Sequence, residues 1–559
     1  MVKQTRLRCF LALLLIAAAR PQAQEYNAVP LNHAAYDVIT MGVMRGIILP
    51  PPGVKPWSIH TVTQKLREIL SVAALTLSEG EEETALRALD SLERKAGFEP
   101  KDGRYRNEGN GFTFETGLGW ESGFSVETAD TSFTSVNMLQ WYLGGDIANF
   151  ASWNVTALGE FLYIERNQQR YSPRSAYAIP SAFPFASGKP WDGGVLSLRN
   201  PGDYAVWPDD PALACGLEAE FNGIFFDELL ELRLGRIRRD WGHGANGASL
   251  FMNAYARPFA ALEGTFMPLS WLNISFLGGA LEHFGEDSRW PDGGRAGGLT
   301  GGPFSNVLTA AQIEFNPIRY IHLDIGAAAV VLEEPNAAFF SNLELHMPGL
   351  LTFWGGIFVD RLNSSSDSFF ALSGNSYAYQ AGVKTIIHWL PFAAFTLRYT
   401  KIEPYCYTGN SGFVSGGESL GYYLPPNSDE LLLRFESMLF PDIKAHVQFQ
   451  MIRHGADYGY GAVPGSSLYD TLTNGNSAKY FLMDGAYQWD NVIKLGGSCN
   501  LKTIGTPLAI FAETGLIVTN YTINGEAGVG NEADYENLND SVYRARTGFL
   551  FSIGFRVFP

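Results

Sequence analysis

Past its first two dozen residues, the 559-residue chain has no run of about eighteen apolar residues, so no helix of it can span a bilayer. Charge is scarce: only 17% of residues are Asp, Glu, Lys or Arg, where an ordinary soluble domain carries about 25%. Cysteine is scarcer still. Cys9 lies inside the leader, too early to be a lipidation site, and Cys215, Cys406 and Cys499 are far apart. That set forms no disulfide framework and has no metal-ligand spacing. Cations are outnumbered, 40 to 57, for a net charge of −17, which argues against a nucleic-acid surface. The nine histidines make no HExxH motif and no serine sits on a nucleophile elbow. No motif recurs at a period of about 20–50 residues, which argues against a solenoid or propeller.

What the chain does have begins with a leader. Lys3, Arg6 and Arg8 precede the apolar stretch Phe10–Ala19, and small residues come after it, so residues 1–23 read as a secretory signal peptide. Cleavage fits after Ala19 or Ala23. Cleavage after Ala23 removes four cations (Lys3, Arg6, Arg8, Arg20) and takes the net charge from −17 to −21.

Six proline-marked turns punctuate the second half: Met267-Pro268, Asn316-Pro317, Pro348-Gly349, Leu390-Pro391, Pro441-Asp442 and Thr506-Pro507. Each lies between two runs of alternating hydrophobicity, and long Gly/Ser/Asn-rich segments join one pair to the next. Short turns on one rim, long loops on the other and alternating strands between are the pattern of a transmembrane β-barrel. The alternation is clearest at Ile443, Ala445, Val447, Phe449 and Met451, set against Lys444, His446, Gln448 and Gln450. The second set predicts a wet lumen, because a sealed apolar core would leave such groups unpaired.

Strands laid outward from the turns number about eighteen, near 112–127, 131–143, 150–165, 214–225, 229–239, 249–267, 270–283, 307–316, 318–332, 339–347, 350–359, 377–389, 392–402, 430–439, 442–453, 486–503, 508–520 and 544–558. An even count puts both ends of the barrel and all six proline turns on the periplasmic side. The long segments 166–213, 284–306, 403–429, 454–485 and 521–543 are then extracellular. The domain plan is a signal peptide at 1–23, a periplasmic helical segment capping the barrel at 24–110, and an all-β antiparallel barrel at 111–559. Within the helical segment, Ala34–Arg45 ends at Gly46, Ser58 caps a second helix to about Leu77, and Ser78 with Glu81 makes a capping box for a third. Phe549, Phe551, Ile553, Phe555 and Val557 alternate to the end, although Phe558 is out of step with them.

The densest polar segment is 230–259. Its Gly242-x-Gly244-x-x-Gly247 is formally a dinucleotide fingerprint, but no buried parallel strand precedes it and Pro258 breaks the stretch where its helix would have to run. The arginines there have two readings. Arg233, Arg236, Arg238, Arg239 and Arg257 either brace the barrel wall or grip an anionic sugar, since guanidinium forks match carboxylates. A hairpin symmetric about Gly244 would place Arg257 opposite Glu231. In the gripping reading, Arg236, Arg239, Trp241, His243, Asn253 and Arg257 bind ligand. Trp191 and Trp207, held out among the prolines of 166–213, are its outer stacking surfaces; the other reading of that loop is an inward-folded plug or an interfacial aromatic belt. Asp209-Asp210 and Glu333-Glu334 read as ordinary loop charges.

The order Gly235-Arg236, Trp241-Gly242-His243-Gly244, Ser249-Leu250, Asn253-Ala254, Arg257-Pro258-Phe259 resembles the Wzi-type capsule assembly family. Tyr36-Asp37, Gly46-Ile47-Ile48 and Lys55-Pro56-Trp57-Ser58 are similar to that family's leading helical segment. His243 stands where the family has proline. The resemblance implies an eighteen-stranded outer-membrane barrel with a periplasmic helical bundle and a lectin-like hold on capsular polysaccharide. The expected function is therefore non-enzymatic binding of surface polysaccharide, acidic in kind, with no cofactor and no metal. Its partners would be outer-membrane lipid and the barrel assembly machinery, with no nucleic acid. A porin or solute channel is the alternative, and a barrel hydrolase a third.

Overall fold

Each stretch of period-two hydrophobicity forms a strand, and every strand pairs antiparallel with its neighbours. The computed structural model describes residues 26–31, 33–92, 97–99, 104–109, 112–128, 132–147, 150–166, 196–197, 212–226, 228–242, 248–254, 256, 258–281, 306–331, 336–361, 376–408, 412–415, 418–456, 463–468, 470, 484–501, 507–525 and 545–557. Eighteen long strands make a closed barrel. They are β1 (Phe112–Glu127), β2 (Ser132–Ile147), β3 (Ala151–Arg166), β4 (Ala212–Phe225), β5 (Leu230–Ile237) and β6 (Phe259–Leu269). Then come β7 (Leu272–Leu281), β8 (Asn306–Ile318), β9 (Ile321–Val331), β10 (Asn336–Met347), β11 (Leu351–Arg361) and β12 (Ser376–Ile387). The last six are β13 (Ala393–Ile402), β14 (Ser428–Phe440), β15 (Ile443–Gly455), β16 (Asp484–Asn500), β17 (Leu508–Gly525) and β18 (Arg546–Val557). Closure runs from Leu550↔Glu127 to Val557↔Trp120, and it leaves the ring of eighteen long strands no open edge.

Successive side chains point to opposite faces. On β15, Ile443 and Val447 are exposed outward while His446, Gln448 and Gln450 are buried inward, as the alternation predicts. The short hairpins β2–β3, β4–β5 and so on to β16–β17 all share one rim. Two of the proline turns are displaced by a step. Pro268 and Pro317 lie within the last residues of β6 and β8, where the register shifts between Phe266 and Leu269 and between Phe315 and Ile318. Proline has no N–H for the ladder, and a bulge is where a sheet tolerates that.

Three helices meet this short-turn rim. α1 (Ala34–Met44) is capped by His33, whose Nδ1 accepts the Ala35 amide at 3.1 Å. α2 (Ile59–Ser71) starts at Ser58, whose Oγ accepts the Thr61 amide at 3.3 Å. α3 (Glu79–Asp90) is closed by Glu81, which accepts the Ser78 amide at 3.0 Å. The second helix was expected to reach Leu77 but stops at Ser71. Val72 leaves helical geometry there, and a single turn, Ala73–Thr76, comes next. The segment also ceases to be helical well before residue 110. Gly97–Glu99 and Arg104–Gly109 form a hairpin that extends the sheet along the start of β1.

Charge and shape dock the helices. Lys444 at the base of β15 reaches Asp37 at 2.6 Å, and Arg87 pairs with Asp442 in the β14–β15 turn. Glu81 takes Arg45 and the Phe392 amide. The Gly349 amide donates to the Met44 carbonyl at 2.9 Å. This close approach uses two positive-φ glycines, Gly46 (φ 71°) and Gly349 (φ 75°), and a Cβ on Gly46 would come within 2.9 Å of Pro348. Burial alone would raise the Glu81 carboxyl, but Arg45 and the two amides outweigh it and hold it below the usual range.

The lumen has two tiers. Toward the short turns it is polar, with Gln312, Glu314, His322, Asp324, Glu344 and His346 buried on β8–β10. Toward the long loops the same strands turn Leu308, Val330 and Phe340 inward, with Leu277 and Phe358 beside them. The hydrogen-bonding inner face expected from His446, Gln448 and Gln450 belongs to the lower tier. The upper tier is a hydrophobic core, and the chain supplies what fills it.

Candidate functional site: a plugged lumen

The polar seam starts on β4–β6, where inward Glu220, Arg233 and Glu263 meet. Arg233 lies 3.2 Å from Glu220, 2.8 Å from Glu231 and 3.6 Å from Glu263. It also donates to the Pro56 carbonyl at 2.8 Å. Three strands and the N-terminal segment thus converge on one guanidinium, whose planar fork suits several acceptors at once. Nearby, Gly53 donates to both oxygens of Glu314 at 3.0 and 3.1 Å. The Ala28 amide donates to Glu220. Residues 26–28 and 53–56, on either side of the rim-bound helix α1, are therefore tied to the inner wall.

The second piece comes from the other side. After β5 the chain leaves the wall, so β6 begins at Phe259 and not near 249 as expected. Asp240–Trp241 pairs antiparallel with Val54–Lys55, which joins the N-terminal segment to the descending loop. Ser249 accepts the Phe251 and Met252 amides and donates to the Trp241 carbonyl. That turn drives Phe251 into the apolar tier, stacked on Phe340 with centroids 4.3 Å apart.

The third piece is the connection from β13 to β14. The Tyr407 amide donates to Asp360 at 2.6 Å, and its hydroxyl to the Leu250 carbonyl at 2.5 Å. Glu430 accepts from Tyr422, from Tyr423 at 2.5 Å, from Gln450 at 2.6 Å and from Arg398 at 3.0 Å. Burial pushes the Tyr422 and Tyr423 phenols well above the usual tyrosine range, so both stay protonated and donate. The Asn253 amide donates to the Leu420 carbonyl at 2.8 Å, which closes the stack.

The residues singled out in the sequence do not gather in one place. Arg239 is buried; it donates to Glu263 at 2.7 Å and to the carbonyls of Gly235, Ile237 and Phe259, and it lies over the Phe259 ring. Trp241 is 0% exposed and packs edge-on to Phe251. Asn253 is buried with its amide on the Ser249 carbonyl at 2.9 Å. Arg236 is buried, yet its register partners Ala219 and Ala260 put it on the outward face with Leu234, which is 57% exposed. Arg233 and Arg236 are three apart, hence on opposite faces, so the five arginines do not form one ladder. His243, Arg257, Trp191 and Trp207 lie outside the described residues. The expected Arg257–Glu231 register is replaced, since Glu231 stands opposite Thr265. Glu220, Glu263, Asp360 and Glu430 were not singled out from sequence; each is one inward polar residue of its strand, and only parity could have marked it.

No family model matches the chain, and no curated protein matches it. Among solved structures, Wzi aligns over 96% of this chain and 100% of its own length, with a TM-score of 0.55 at 11% identity. The chain has the fold of Wzi. That protein is described as an outer-membrane protein of Escherichia coli, involved in group 1 capsule assembly, and a carbohydrate-binding β-barrel. OprD of Pseudomonas aeruginosa aligns over 82% of the chain at 10% identity with a TM-score of 0.43, and OpdK of the same organism over 79% at 12% with 0.39. Those two scores are too low to bear on function. Like Wzi, this chain is a β-barrel; among the described residues its own barrel is closed and antiparallel, with eighteen long strands preceded by a short helical segment.

Proposed function

We propose that this protein is a Wzi-like outer-membrane barrel that binds or anchors polysaccharide at the cell surface without chemistry of its own. The observation that carries the reading is the plug. Among the described residues, three inward segments fill the lumen and are fastened by buried carboxylates and aromatic stacking. A barrel sealed in this way suits holding a ligand on its rim better than passing solutes through its middle. The crevice between Pro52–Trp57 and the Glu231/Arg233/Glu263 wall holds about one water and admits no sugar ring.

In this reading the short-turn rim with its helical cap is periplasmic and the long loops are extracellular. Polysaccharide binds there, and the sequence offers His243 and Arg257 for its carboxylates and Trp191 and Trp207 for its sugar rings. Arg239, Trp241 and Asn253 support the descending loop from below. Purified protein titrated with an acidic capsular polysaccharide tests the proposal. Arg257→Ala should weaken binding about tenfold, the order of one charge-assisted contact. Unchanged affinity would remove Arg257 from the site, and absence of binding with any surface glycan would sink the function. Large steady conductance in planar bilayers would establish the solute-channel alternative instead.

A further inference from the structure

One hydrogen-bonded row on the outside of the barrel departs from the apolar pattern. Across β12 to β17, Tyr379, Lys401, Asp429, Arg453, Trp489 and Asn520 stand directly opposite one another. They occupy the outward face, in the last turns of the wall before the long loops. One step toward the membrane the same strands present Tyr399, 37% exposed, and two steps on they present Leu397 and Ile493 to the surroundings. The row therefore marks where hydrocarbon gives way to headgroups on the long-loop side.

Its chemistry is specific. Arg453 donates to Asp429 through Nε at 2.8 Å and through Nη2, and it lies 5.0 Å from the centre of the Trp489 ring. Tyr399 donates to the same carboxylate at 2.9 Å. Lys401 lies 5.4 Å from the Tyr379 ring centre and 3.8 Å from Glu403. Asp429 and Glu403 balance the two cations, so the row exerts little long-range pull and acts at contact distance. Asp429 takes two of the five guanidinium donors and fixes its plane. The outer edges of Arg453 and Lys401, about 9–11 Å apart for residues two strands removed, face the lipid between aromatic rings.

We propose that this row is a docking site for a phosphorylated glycolipid headgroup of the outer leaflet. The guanidinium fork and the ammonium would take its phosphates, and Tyr379, Tyr399 and Trp489 its sugar rings and upper acyl chains. The proposal rests on the outer-membrane reading with the long loops outside. It is tested on the full chain extracted in mild detergent, with bound glycolipid counted by native mass spectrometry. Delipidated protein is then titrated with phosphatidylethanolamine vesicles carrying rough lipopolysaccharide, intact or dephosphorylated, and with inorganic phosphate alone. The wild type should retain the phosphorylated glycolipid, and K401Q/R453Q should retain about tenfold less. Equal retention by that variant, or equal uptake of the dephosphorylated lipid, overturns the site. Saturation by inorganic phosphate alone overturns the lipid assignment. If K401Q/R453Q loses its heat-resistant fold, K401Q alone leaves the Asp429–Arg453 pair intact and must still lower retention of the phosphorylated glycolipid, by less than the double variant; unchanged retention in K401Q overturns the site. Membrane fractionation runs alongside: recovery outside the outer membrane defeats the location, whereas correct fractionation with unchanged retention defeats only this inference.

Discussion

Removing Arg233 tests the plug most directly. Its guanidinium is almost completely buried among Glu220, Glu231 and Glu263 and holds the Pro56 carbonyl. At an effective dielectric of about 20, each contact near 3 Å is an attraction of roughly 5 kcal/mol before desolvation. Desolvation consumes most of that gain, so the net worth of such a network is small. Losing one partner is costly all the same, because the carboxylates stay behind in a dry space. Arg233→Met should therefore destabilise the plug by about 3–5 kcal/mol. Arg233→Lys keeps the charge but not the fork and should cost less. The readout is hydrogen exchange at 52–58 and 240–242, which Arg233 secures through Pro56 and the Val54–Trp241 pairing. Exchange there should speed up while the strands of the barrel stay protected. Glu231, 2.8 Å from Arg233, is the partner to neutralise: Glu231→Gln combined with Arg233→Met should recover part of the loss, as a coupled pair requires. Unchanged exchange in Arg233→Met, or strict additivity with Glu231→Gln, would refute the claim that this residue pins the N-terminal segment.

Three further outcomes are expected from the same packing. Phe251→Ala removes a ring stacked on Phe340 and should cost about 3–5 kcal/mol; it should also raise bilayer conductance, and a variant as closed and as stable as wild type would show that the apolar tier is not the seal. Glu430→Ala strands Arg398, Tyr422 and Tyr423 and should cost about 3–5 kcal/mol, seen as faster proteolysis of the 403–427 connection. Acid should release the helices through Glu81. Its carboxyl is depressed in the folded state, so its stabilisation is present above the ordinary value of 4.5 and fades as pH falls through the lower folded value. Hydrogen exchange of α3 should accelerate in that window, and Glu81→Gln should flatten the dependence.

Strand number, alternation, the shared rim of the hairpins and the three helix starts were legible in the residues, because each is local. Period-two patterning, a proline at a turn and a serine with a glutamate three residues on need no distant partner to be recognised. Lys444, His446, Gln448 and Gln450 were assigned to the lumen from their parity alone, and parity also separates Arg233 from Arg236. The contents of the lumen were not legible. Residues 248–256 contain apolar side chains that pass for the beginning of a strand, and only the pairing of Asp240–Trp241 with Val54–Lys55 shows the chain turning inward. Trp241 and Asn253 look like ligand-binding residues in sequence but lie inside the seal, because burial depends on contacts between segments hundreds of residues apart. Glu430 and Arg398 are likewise ordinary inward charges until Tyr422 and Tyr423 fold down onto them. Sequence by itself determined the wall, whose inside and outside repeat every second residue. Tertiary structure decided that the barrel is filled, since that depends on which distant segments meet once the sheet has closed.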